Sequence, residues 1–185
     1  MKLKMNKRMG TKKSDLGKLR REGSIPAVLY SPERSAESIM VDGVEFGAIL
    51  RGIVPGRLAT TTFTLIREGK EVPAIIKDIQ YHPTTYAVLH LDFEELIPGV
   101  PVNINVPIEF TGVADCSGIK LGGFLRTVVR SLKVRCMPDQ IPGSFPMDVR
   151  ELSIGQAKRL SSLEIPEGIS PLVSLEEVAF VIAKR

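Results

Sequence analysis

Lys77 to Phe93 reads K-D-I-Q-Y-H-P-T-T-Y-A-V-L-H-L-D-F, and the rest of the chain is organised around it. The pattern predicts two strands around a turn that contains Pro83. Strand side chains alternate, so Ile75, Lys77, Ile79 and Tyr81 are expected on one face of the first strand. On the second strand Val88, His90 and Asp92 share one face, and Leu89, Leu91 and Phe93 share the other. The Leu/Leu/Phe face is the natural core face. His90 and Asp92 are therefore expected to point outward, roughly 7 Å apart along the strand. Ring and carboxylate can then meet one partner. Both histidines of the chain, His82 and His90, and two of its three tyrosines, Tyr81 and Tyr86, fall in this stretch.

Upstream, Leu3 and Met5 alternate with Lys2 and Lys4, which fits a short strand with a wet, basic outer face. The segment T-K-K-S-D-L-G-K-L-R-R-E-G follows. Ser14 or Asp15 can cap a short helix that Gly23 terminates, although Gly17 weakens it by roughly 1 kcal/mol and leaves a loop as the alternative. Ile25 to Tyr30 reads as a strand with Pro26 at its start or on an edge. Ser31 to Ala36 reads as a loop and Glu37 to Val41 as the returning strand. Asp42-Gly-Val-Glu45 is a capping box, with Phe46, Ile49, Leu50 and Ile53 at helical spacing behind it. Thr60 to Ile66 and Glu71 to Tyr81 are strands joined by a turn at Arg67-Glu-Gly-Lys70. Residues 1–95 thus hold about six strands and one or two short helices, enough to close a small β-barrel.

Downstream, Pro98, Gly99 and Pro101 mark a composition change and the expected boundary between residues 1–95 and 96–185. Val102 to Phe110 is strand-like and Gly112 to Gly123 reads as a long polar loop. Phe124 to Cys136 fits either a helix or strands, and strands are favoured. Further strands are expected at Phe145–Val149, at the start of Leu152–Ile165 and at Leu175–Ile182. The chain is therefore expected to be mainly β, an N-terminal six-stranded barrel followed by a C-terminal β-rich domain.

The net charge of +4 is unevenly placed. Residues 1–23 carry nine Lys/Arg against two Asp/Glu, a local +7, whereas residues 24–95 carry −4 and residues 96–185 carry +1. A basic block on a nearly neutral body suits phosphate contact, with a solvated basic tail as the bland alternative. No apolar run has the length of a membrane span, and no apolar stretch follows the basic N-terminus as in a secretory signal. Cys116 and Cys136 lack a zinc-type spacing and suggest reduced thiols, with a disulfide left open.

Motifs for catalysis are missing. The chain holds no phosphate-gripping loop, no nucleophile elbow, no H-E-x-x-H and no CxxC, and the glycines of Gly118–Gly123 read as a tight turn. A metal site built from His82, His90 and Asp92 is disfavoured by Pro83, so neither metal nor cofactor is expected. His90 and Asp92 as an acid–base pair lack a nucleophile or second carboxylate. Taken alone, they read as a mutual hydrogen bond. An enzyme would require a deep pocket beside them, and a nucleic-acid binder an open face flanked by the basic block.

R-R-E-G-S-I-P-A-V-L-Y at Arg20–Tyr30, K-D-I-Q-Y-H at Lys77–His82 and H-L-D-F at His90–Phe93 resemble the bacterial large-subunit ribosomal protein family L-twenty-five. That family includes the two-domain form called general stress protein Ctc. The resemblance continues through V-P-I-E-F-T-G at Val106–Gly112, G-I-K-L-G-G-F-L at Gly118–Leu125 and E-I-P-E-G-I at Glu164–Ile169. It implies a structural, non-enzymatic protein whose barrel binds 5S rRNA at loop E from the minor-groove side. It also implies a second β-domain leaning on the central protuberance of the large subunit. Lys13, Arg20, Tyr30, Gln80, His90 and Asp92 match its RNA-contact positions, and Lys18 and Arg21 would add phosphate contacts. Gly17 stands where an RNA-contacting arginine is common in the family. The expected partners are 5S rRNA and other large-subunit proteins, with 23S rRNA as a further candidate, and no membrane or small-molecule substrate. The expected location is cytoplasmic and ribosome-associated. A stress-linked RNA-binding factor acting off the ribosome is the alternative.

Overall fold

The computed structural model describes residues 1–8, 13–32, 34–67 and 69–184, with Lys13 and Arg34 described by backbone alone. The chain divides into two compact units, Met1–Val100 and Pro101–Arg185. The first contains β1 (Lys2–Lys7), α1 (Lys13–Arg21), β2 (Ser24–Ser31), β3 (Arg34–Asp42), α2 (Gly43–Gly52), β4 (Thr62–Arg67), β5 (Lys70–Tyr81) and β6 (Val88–Glu95). Its six strands close into a barrel in the order β1-β3-β2-β6-β5-β4. The β1–β4 and β2–β6 pairs are parallel, and the others are antiparallel.

Alternation fills the barrel. Leu3 and Met5 of β1, Ala27 and Leu29 of β2, Ile39 and Val41 of β3, Phe63 and Leu65 of β4, and Leu91 and Phe93 of β6 are buried together. The capping box sets α2 against one end of this core. Asp42 Oδ1 accepts from the N–H groups of Val44 and Glu45, both at 2.8 Å. The helix thereby delivers Phe46, which is fully buried 6.4 Å from the Phe63 ring, and Phe63 meets Phe93 edge-on at 6.0 Å. Burying each such ring contributes roughly 1.5–3 kcal/mol. Gly43 closes the junction. Its N–H bonds Gly23 O at 2.9 Å, and a Cβ on it would stand 2.5 Å from that oxygen.

Three expectations for this unit are corrected. The segment with Gly17 is a helix, and it begins at Lys13, so Ser14 and Asp15 lie in its first turn and do not cap it. Pairing of β2 with β3 runs out to Ser31 and Arg34, so strand residues occupy both ends of the expected Ser31–Ala36 loop. Polar residues joined the ladder because backbone bonds do not depend on side-chain polarity. Finally, Leu96 is buried and its N–H bonds Pro73 O at 2.8 Å, which carries the first unit beyond residue 95.

The second unit contains β7 (Val102–Thr111), α3 (Ser117–Lys120), β8 (Gly123–Thr127), β9 (Ser131–Cys136), β10 (Phe145–Asp148), β11 (Ala157–Arg159), β12 (Ser170–Pro171) and β13 (Val178–Lys184). They form a four-stranded sheet, β10-β7-β9-β12, and a three-stranded sheet, β11-β13-β8. Phe110 and Phe180 meet edge-on with ring centroids 5.0 Å apart. The expected long loop at Gly112–Gly123 instead holds a 3-10 turn, Val113–Asp115, and α3. Its backbone is packed too closely for an exposed loop, since a Cβ on Gly118 would stand 2.8 Å from Ile182 Cγ2. The strand expected near Leu152 lies at Ala157–Arg159, and a further two-residue strand lies at Ser170–Pro171. Cys116 and Cys136 are both buried, and no disulfide joins them.

Candidate nucleic-acid interface

The candidate site is the outer face of β2, β6 and β5. In the parallel β2–β6 register Val28 stands opposite Asp92 and Tyr30 opposite Glu94. In the antiparallel β6–β5 register Asp92 stands opposite Asp78 and His90 opposite Gln80. Leu91 and Phe93 point inward and are fully buried, which turns His90 and Asp92 outward as expected. The two side chains meet each other, with His90 Nδ1 2.7 Å from Asp92 Oδ1. When the neutral ring donates Nδ1–H to the carboxylate, its Nε2 is left as an acceptor.

Two bulges shape this face, and both were hidden from strict alternation. Ile76 pairs with Phe93 but Asp78 with Asp92, so Lys77 is an extra residue on β5. The expected shared face of Ile75, Lys77, Ile79 and Tyr81 is thereby broken: Ile76 and Ile79 both reach the barrel core. Lys77 turns toward β6 and places Nζ 2.7 Å from Glu94 Oε2. The second bulge is on β6, where Gln80 pairs with His90 but Tyr81 with Val88, leaving Leu89 as the extra residue. Val88 therefore packs against the core, the reverse of the expected assignment, and Leu89 is only half-buried outside that cluster. Bulges re-aim side chains and release ladder groups in this way.

The released carbonyl has a partner. Arg20 Nε and Nη2 both donate to Leu89 O, at 3.1 and 2.9 Å. This fork ties the last turn of α1 to β6 beside His90. Lys18 and Arg21 of the same helix are exposed, and Lys18 pairs loosely with Glu22 at 3.9 Å. The side chain of Lys13 lies outside the described residues.

Tyr30 is half-buried at the β2 side of the face. Burial pushes its phenol pKa up to about 12, and the charges of Glu94, Asp92 and Asp78 add to the shift. Gln80 is exposed. The face thus joins Tyr30, Gln80, His90 and Asp92, with the cations of α1 along its edge. Sequence reasoning missed Lys77, Asp78 and Glu94. With them the face carries one lysine against three carboxylates, a composition that repels phosphate and favours partners offering hydrogen-bond donors. Two cavities of the first unit are lined by other residues than His90 and Asp92. His82 is occupied elsewhere, its Nδ1 accepting from the N–H groups of Thr84 and Thr85 at 3.3 and 3.2 Å. Among the described residues no cluster of three or more His, Cys, Asp or Glu side chains could hold a metal ion. No helix among them is long and apolar enough to cross a membrane.

Comparison with known proteins matches both units. The family described as Ribosomal L25p matches residues 3–93, and the one described as Ribosomal protein TL5, C-terminal domain, matches residues 101–185. Relatives named large ribosomal subunit protein bL25 include those of Chlamydia trachomatis serovar A, 48% identical, Chlamydia muridarum, 46%, and Chlamydia pneumoniae, 44%. Each comparison spans 185 residues and the whole of both chains. A barrel and a second β-unit in the matching order, aligned end to end with such relatives, establish that the chain belongs to the Ribosomal L25p family in the form carrying a TL5-type C-terminal domain.

Proposed function

We propose that the chain is a structural, non-enzymatic protein of the large ribosomal subunit, and that its barrel binds 5S rRNA at loop E through the outer β2–β6–β5 face. The relatives' shared name supports the ribosomal role. The His90–Asp92 pair carries the RNA reading. It is a directed acceptor group on an open, mainly acidic face, and the cations of α1 stand at that face's edge. An A-form minor groove is wide and shallow and presents 2′-hydroxyls and base edges. Asp92 accepts from a guanine amino group or a 2′-hydroxyl, Gln80 donates and accepts, and His90 Nε2 meets a further donor. Lys18, Arg20 and Arg21 face the phosphates flanking that groove. On this reading residues 1–100 are the RNA-binding unit, and the second unit contacts neighbouring components of the central protuberance. The protein then resides on ribosomes in the cytoplasm.

The test is a filter-binding titration of the full chain against 5S rRNA at two salt concentrations, with transfer RNA as competitor. Tight binding that survives the competitor is the expected result. Binding that the competitor abolishes would reduce the basic block to a non-specific tail and remove the 5S rRNA assignment.

A further inference from the structure

Among the described residues Tyr86 is the only non-glycine residue in the left-handed backbone region, at φ 55°. A bulky residue there is strained, and such strain persists only where the surroundings enforce it. The turn does enforce it. His82 N–H bonds Ala87 O at 2.8 Å, Tyr86 N–H bonds His82 O at 2.9 Å, and the His82 ring accepts from Thr84 and Thr85. Yet burial of the tyrosine offsets none of that strain, because the residue is 76% exposed. The turn holds out an aromatic ring at a fixed position with no protein partner to cover it.

The ring borders a groove of about 400 Å³, within the size range of small-ligand sites. Arg20 lines the same groove, and its lining also includes Gly23, Gly43 and Gly47. A Cβ on Gly47 would come no closer than 3.8 Å to a neighbouring side-chain atom, and Gly23 has open space above it, so a flat group can lie close to the backbone here. Arg20, a lining residue of the groove, spends two of its five N–H donors on Leu89 O and carries a full positive charge. Leu89, which also lines the groove, is the chain neighbour of His90 on the proposed RNA face.

An aromatic ring, a guanidinium and a bare backbone floor together match one chemical group: a nucleotide with its base unstacked from its neighbours. We infer that this groove takes a single unpaired nucleotide of the bound RNA, its base stacked on Tyr86 and its phosphate facing Arg20. The inference rests on the 5S rRNA reading and deepens it. Tyr86 would anchor the RNA without reading its sequence, because every base has a face to stack.

The chain contains no tryptophan, so Tyr86→Trp places one reporter in the groove. Stacking predicts that 5S rRNA quenches its fluorescence. In the full chain Tyr86→Ala and Tyr86→Gly are expected to weaken RNA binding about 5- to 150-fold with the salt slope unchanged, the range for one base–aromatic stack. Tyr86→Phe should bind as wild type. Tyr86→Gly should also raise the melting temperature by relieving the backbone strain, which separates lost binding from lost folding. Wild-type affinity in Tyr86→Ala, or an unquenched Tyr86→Trp in a chain that binds 5S rRNA, overturns this inference and leaves the RNA reading standing. A wild-type chain that does not bind 5S rRNA overturns both.

Discussion

His90 Nδ1 and Asp92 Oδ1 stand 2.7 Å apart, two residues along one face of β6, so each side chain fixes the other's orientation. Removing either one disorients its neighbour as well as deleting its own contact. His90→Ala and Asp92→Ala are each expected to weaken 5S rRNA binding by about 1–3 kcal/mol with little change in salt slope. The double variant should lose less than the sum of the two, because the pair acts as a unit. Two single variants with wild-type affinity would remove the pair from the interface.

Arg20 and Arg21 are neighbours in sequence with different duties. Arg21 is exposed at the end of α1, whereas Arg20 forks onto Leu89 O. Arg21→Ala should lower the salt dependence of binding by about one unit of slope and leave folding intact. Arg20→Ala should lower the slope similarly and also loosen α1, seen as faster hydrogen exchange across Lys13–Arg21. Arg20→Lys should restore the charge but not the exchange protection, since an ammonium cannot reproduce the planar fork. Equal exchange in wild type and Arg20→Ala would show that the fork does not hold the helix.

Gly17 lies inside α1 with nothing within 4 Å of where its Cβ would be. Gly17→Ala is expected to raise stability by about 1 kcal/mol through helix propensity alone. Gly17→Arg should do nearly as much, and should in addition tighten 5S rRNA binding and steepen the salt slope by about one unit. A stabilised Gly17→Arg chain with unchanged RNA affinity would place this face of α1 away from the phosphates.

Leu96 ties the segment after β6 back to the barrel through its buried side chain and its bond to Pro73 O. A fragment of residues 1–100 is therefore expected to fold and bind RNA. A fragment ending at residue 95 should be less stable by roughly 2–4 kcal/mol, the sum of one buried leucine and one backbone hydrogen bond. Urea denaturation of the two fragments measures the difference. Identical midpoints would return the boundary to residue 95.

The Tyr30 phenol is pushed up to about 12 by burial and by the carboxylates of Glu94, Asp92 and Asp78. Its folded pKa lies above the unfolded value of about 10, so the stability it contributes is full below pH 10 and is lost as pH rises toward 12. At the pH of RNA binding Tyr30 is neutral and able to donate. Phenolate absorbance in an alkaline titration should show a last step near pH 12 that is missing in Tyr30→Phe. Complete phenol ionisation well below pH 12 in the folded chain would contradict this placement.

Some of this was legible in the residues alone. The alternation His90-Leu91-Asp92-Phe93 fixed which side chains enter the core, because a strand has period two and the barrel has one dry side. D-G-V-E at Asp42 fixed the start of α2, because the cap is a local bond between a side chain and the backbone two and three residues on. The identities of the pair at His90 and Asp92 were likewise visible, through their place in a family pattern.

What only the tertiary structure decided depends on two strands at once. A bulge exists only relative to a partner in register, so no single-strand pattern announces Lys77 or Leu89 as extra residues. From those two bulges follow the acidic balance of the outer face, the carbonyl that receives Arg20 and the inward turn of Val88. Barrel closure through the parallel β1–β4 pair joins residues some 60 positions apart. The exposed, strained Tyr86 is equally a product of closure, because only the register of β5 against β6 sets how the turn between them must bend. Within an unbulged run the sequence determined which residues face water and which face the core. Long-range register decided which of the water-facing residues stand together.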